Sequence, residues 1–176
     1  MAGPGQRSKE RTMTEGTPPR RGVPIIGLLA GAALVASIGG LGWWQFARTA
    51  ASPMDSTDPR VLALGERVYQ RECASCHGAQ LEGQPDWQTR LPNGRLPAPP
   101  HDPSGHTWHH PAEQLFGIVK DGVQAYAPAG YESDMPAYAG RLSDAEIWAV
   151  LAFIKSTWPA DTRGHHDEID RRNRRR

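Results

Sequence analysis

Both cysteines of this 176-residue chain fall within five residues, Cys73-Ala74-Ser75-Cys76-His77, and that limits how the chain can be held together. No disulfide can join distant segments, because the only two thiols stand three positions apart. The long proline-rich stretch that follows the motif must therefore be ordered by something other than a cross-link. Two thiols and an adjacent imidazole suit three chemistries: a zinc centre, a dithiol redox pair, or covalent attachment of a haem.

Ahead of the motif, Val23 to Phe46 carries no charged side chain, and its one strongly polar residue is Gln45. At a rise of about 1.5 Å per residue such a run crosses a hydrocarbon core of roughly 30 Å. Trp43 and Trp44 sit at its far end, where indoles favour the headgroup level, and Arg20 and Arg21 precede it on the side expected to be cytoplasmic. The expectation is a single N-terminal transmembrane helix with the rest of the chain outside. The competing reading is a cleaved signal peptide ending near Thr49-Ala50-Ala51, but the apolar run exceeds the usual core of such a signal.

The remaining organisation follows from composition. Residues 1–22 mix Arg and Lys with Gly, Pro and Thr and read as a disordered cytoplasmic segment. Residues 23–46 are the anchor, 47–57 a linker, 58–160 a folded domain, and 161–176 a disordered, charged tail ending in arginines. A net charge of +1 gives no electrostatic case for nucleic acid.

Within the folded domain the periodicities are helical. Asp58-Pro59 is an N-cap acid followed by proline, and Val61, Leu64, Val68 and Tyr69 then share one face up to Cys73. Gly78 to Pro111 reads as loop, broken by Pro85, Pro92, Pro97, Pro99, Pro100 and Pro103. Ala112 to Asp121 is a short helix closed by Gly122, and Ser143-Asp144-Ala145-Glu146 is a capping box opening a helix whose apolar stripe is Ile147, Val150, Leu151 and Ile154. No alternating run suggests a sheet, so the class is all-α.

Spacing separates the three chemistries. A zinc site would pair Cys73 and Cys76 with His106 and His110, but the gap far exceeds the ~12 residues of a zinc finger and leaves His77 without a role. A thioredoxin-like dithiol wants a βαβ setting, whereas this motif follows a helix. Haem attachment uses all three side chains, with His77 as the proximal iron ligand. It also asks for a distal ligand, and Met135 is the only methionine after the motif. His101, His106, His109 and His110 are the alternatives for that position, and as a group they are candidates for surface copper.

With these residues in view, the chain resembles a class I c-type cytochrome over about residues 58–158. The resemblance implies a cytochrome c fold, helices and loops wrapped round one covalent haem c, with Cys73 and Cys76 as attachment points and His77 and Met135 as ligands. It also implies that Gly65 and Tyr69 cross the last helix near Val150 and Phe153. The Trp108 indole of Thr107-Trp108 is expected to donate to a haem propionate, and Pro100, with Pro99 left open, to accept the other N–H of His77. With both iron positions filled, the function implied is one-electron transfer rather than catalysis. The expected partners are redox proteins of a respiratory chain, a quinol-oxidising complex and a terminal oxidase or reductase, met at the periplasmic face of a bacterial inner membrane. A small-molecule substrate is not expected. Two further readings stay open: a subunit of a larger oxidoreductase, and a peroxidase or gas sensor with a labile methionine.

Overall fold

A computed structural model describes residues 52–175; the expected N-terminal segment, the anchor and the first part of the linker, 47–51, lie outside the described residues. Among those described, no helix is long and apolar enough to cross a membrane. Every regular element among the described residues is helical.

The first long helix, α1 (Pro59–Glu72), starts where the sequence says it should: the Asp58 carboxylate accepts from the Arg60 N–H at 2.8 Å, and proline fills the first turn. A single turn, α2 (Ala74–His77), continues directly from Cys73. After the loop, α3 (Ala112–Asp121) ends at Gly122, whose φ of 90° suits a residue without a side chain. The capping box forms at the head of α4 (Asp144–Ser156), Ser143 and Glu146 each accepting from the other's exposed amide.

α1 and α4 cross at the centre of the fold. Gly65 makes the approach possible, since a Cβ there would meet the Ala149 carbonyl oxygen at 2.0 Å. Val68 and Tyr69 from α1 and Ile147, Val150, Leu151 and Ile154 from α4 are buried with Met54, Leu115 and Trp158 in one core. Gly65, Tyr69, Val150 and Phe153 therefore meet as expected, with the Tyr69 and Phe153 rings 5.7 Å apart.

The tail expected to be disordered is instead a helix, α5 (Ala160–Arg174). Its physical reason is tertiary. Pro111, at the N-cap of α3, has no side chain able to cap, and Asp170 fills the gap by accepting from the Ala112 N–H at 2.6 Å. His166 is fully buried against Trp158, with ring centroids 5.4 Å apart. The buried Lys155 of α4 pairs with both Asp55 and Asp167. Glu168–Arg172 and Asp170–Arg174 add ion pairs one turn apart along the helix.

Candidate haem site

The motif is held from below by one aromatic ring. Tyr69, buried in the core, donates its hydroxyl to the carbonyls of His77 (3.2 Å) and Gly78 (2.8 Å), tying the turn that follows the cysteines to the centre of α1. Cys73 ends α1 and is half-buried, while Cys76 on the next turn is exposed; both are free thiols. Burial, with the Glu72 charge adding, pushes the Cys73 thiol up to about 12, so it stays protonated at neutral pH.

His77 is buried, and its Nδ1 lies 2.8 Å from the Pro99 carbonyl oxygen. A carbonyl only accepts, so Nδ1 carries the proton and the neutral ring keeps its lone pair on Nε2. That nitrogen makes no hydrogen bond among the described residues. Burial lowers the histidine's proton affinity, and the Pro99 contact opposes this in part. Two adjacent thiols beside an imidazole whose Nε2 is available as a donor are the set that a covalently attached haem requires.

The carbonyl is that of Pro99, not Pro100 as first expected. Pro100 instead packs between two glycines: a Cβ at Gly105 would stand 2.0 Å from the Pro100 oxygen, and one at Gly83 would stand 2.4 Å from its nitrogen.

Met135 is half-buried, its N–H donating to the Ser133 hydroxyl at 3.1 Å. Two ties hold its loop. Tyr138 donates to the carbonyl of Glu72, the residue before Cys73, at 2.7 Å. Arg95 pairs with Asp134 and with Glu132 (3.4 Å), linking the loop to the segment that ends at Pro99. The sequence marked Met135 but gave no signal for either tie.

Trp108, the residue expected to face a haem propionate, lies in the Thr107–His109 turn. Its indole N–H donates within its own loop, to the Pro103 carbonyl at 3.3 Å, and its ring lies 3.7 Å from that of His109. The indole engaged in the core is Trp158, which donates to the His101 carbonyl at 2.7 Å.

The four loop histidines do not converge. His106 stacks on Trp87 and meets His110 edge-on at 5.6 Å, whereas His101 lies flat against His77 with centroids 4.0 Å apart. Among the described residues no group of three or more His, Cys, Asp or Glu side chains is placed to hold a metal ion. The His101 and His77 rings, stacked at 4.0 Å, leave no space for a porphyrin between them. A surface cleft of about 470 Å³ is lined by Arg90, Asn93, Tyr131, Glu132 and the Pro128–Gly130 turn, and touches neither the cysteines nor His77.

An all-helical fold that delivers a Cys-x-x-Cys-His turn from its first helix defines a c-type cytochrome. The cytochrome c family profile matches residues 62–158, more than half of the chain, and the chain belongs to that family. It is 28% identical over 116 residues to the cbb3-type cytochrome c oxidase subunit FixP of Sinorhizobium medicae, covering 64% of this chain and 34% of that one. It is 32% identical over 59 residues to the subunit CcoP of Rubrivivax gelatinosus, covering 32% of this chain and 19% of that one. Against cytochrome c-555 of Prosthecochloris aestuarii the identity is 33% over 67 residues, 35% of this chain and 68% of that one. The chain thus spans about a third or less of the two oxidase subunits' length. No solved structure matches. Family membership implies a covalent haem c and a role in haem-based electron transfer.

Proposed function

We propose that this chain is a membrane-tethered one-electron carrier holding a single haem c through Cys73 and Cys76, with His77 as proximal and Met135 as distal ligand. The observation that carries the reading is His77: its Nδ1–H is committed to Pro99, so its Nε2 lone pair is available on a fixed ring in the turn that carries both thiols. The haem, when bound, supplies the Fe(III)/Fe(II) couple. The protein's part is to fix the two ligands. Pro99 and Tyr69 fix His77, while Tyr138 and Arg95 fix the loop of Met135. With both ligands held, no site is left for substrate, which favours electron transfer over peroxide or gas chemistry.

The apolar run 23–46 is the tether in this reading, and it keeps the haem domain at the outer, periplasmic face of the inner membrane. The partners are then a quinol-oxidising complex and a terminal oxidase or reductase. The likeness to two cbb3-type oxidase subunits favours a second form of the same chemistry, a subunit fixed within an oxidase.

A haem-staining band that survives denaturing electrophoresis in wild type, and is lost when both cysteines become serine, tests the attachment. The weak far-red absorption of thioether-ligated ferric haem tests Met135; its persistence in Met135→Ala rules out methionine ligation. Native purification from membranes separates the two forms: co-elution with an oxidase supports the subunit, elution alone the free carrier.

A further inference from the structure

We propose that His101 is a positioning residue for His77, setting the plane in which that imidazole presents Nε2 to the iron. The inference rests on His77 being the proximal ligand, as proposed above. The hydrogen bond from Nδ1 to Pro99 fixes where one atom of the His77 ring points. It leaves the ring free to tilt about that contact. The second restraint is a face: the His101 ring lies against it at 4.0 Å with only 23° between the planes. Aromatic rings stacked this closely resist tilting, because dispersion and face-to-face contact are lost together.

His101 is itself held on every side, as a reference surface must be. Its Nδ1 is 2.8 Å from the hydroxyl of the buried Thr107. Its N–H donates to the Leu81 carbonyl at 2.8 Å, and its own carbonyl accepts from the buried Trp158 indole at 2.7 Å. Tyr69, which holds the backbone of His77, meets the His101 ring edge-on at 6.3 Å. The two imidazoles are thus set by one connected body of core residues rather than by separate surface loops. An aliphatic side chain would fill the volume but offer no flat face, so the histidine has a purpose that packing alone does not explain.

The plane of a proximal imidazole orients the iron's half-filled orbital and is read directly in the ferric spectrum. A neutral π-face against the ligand also favours the ferric state, which places more positive charge on that ligand. The experiment uses the haem-loaded full chain with His101→Leu and His101→Phe, comparing reduction potential and low-temperature ferric EPR with wild type. The leucine variant is expected to show a raised potential and altered g-value spread. The phenylalanine variant, which keeps the flat face, is expected to return both toward wild type. A leucine variant with wild-type potential and EPR overturns the proposal. So does a phenylalanine variant displaced as far as leucine, because the effect is then one of packing. Should His101→Leu fail to retain haem, Thr107→Val releases the ring while leaving it in place: a g-value change supports the proposal, an unchanged spectrum overturns it. His77→Ala separates the two layers, since a wild-type ferric spectrum in that variant overturns proximal ligation by His77 and this inference with it.

Discussion

Replacing Gly65 with alanine is the sharpest test of how the core is assembled. The added Cβ would lie 2.0 Å from the Ala149 oxygen, 2.6 Å from its carbonyl carbon and 2.8 Å from the Phe153 Cβ. Comfortable carbon contacts begin at about 3.5 Å, so α1 and α4 must part by more than about 1 Å at their crossing. The obstructing atoms are mostly backbone, and no rotamer change clears them. A gap of that size forfeits a quarter to a half of each dispersion contact it opens, and Val68, Tyr69, Val150 and Phe153 all lie beside it. Overpacking of this kind costs about 1–3 kcal/mol and at times more. The better helix propensity of alanine returns about 1 kcal/mol. With backbone against backbone the upper end applies, and the net loss expected is about 2 kcal/mol. Thermal unfolding of the haem-loaded chain, followed by far-ultraviolet circular dichroism, should show a midpoint lower by about 10 °C. Gly164→Ala is the control: it sits in α5 with nothing within 4 Å of its added Cβ, so stability should hold or rise by up to about 1 kcal/mol. If Gly65→Ala matches wild type within about 0.5 kcal/mol, the close crossing is not what the core depends on.

Asp170→Ala removes the acceptor at the head of α3 and should cost about 0.5–2 kcal/mol, measured by denaturant titration; Asp170→Asn should recover part of it. His166 is fully buried and neither of its ring nitrogens has a hydrogen-bond partner among the described residues, so His166→Leu should be neutral or stabilising at pH 7. Burial foremost, with the Lys155 charge adding and Asp170, Asp167 and Asp55 opposing, holds His166 below the ordinary histidine value of 6.5. The unfolded chain therefore takes up a proton at a pH where the folded chain does not, and stability falls as pH drops below about 6.5. Unfolding midpoints collected from pH 7.5 down to about 5 should decline less steeply in His166→Leu than in wild type; equal slopes would sink this account. Arg95→Gln unties Asp134 and Glu132, and the far-red absorption assigned to Met135 should then disappear at lower temperature than in wild type.

Helix ends were legible wherever a local device wrote them. Asp58-Pro59, Ser143 with Glu146, and Gly122 each act within one turn, and α1, α3 and α4 begin or end where those residues lie. The Cys-Cys-His turn was legible for the same reason, being five consecutive residues. α5 was not, because it has no apolar stripe: its buried positions are His166 and Asp170, and their partners Trp158 and Ala112 lie in other parts of the chain. Pro99 and Pro100 could not be separated by type, since the distinction is which carbonyl the loop turns toward His77. Trp108 and Trp158 illustrate the same limit, two indoles whose N–H directions depend on the backbone that packs against them.

The bond from Ala112 to Asp170 spans 58 residues and ends in the last helix. In a chain made from its N-terminus, α3 is therefore complete before its acceptor has been added, and its first amide goes without that partner until the last helix follows.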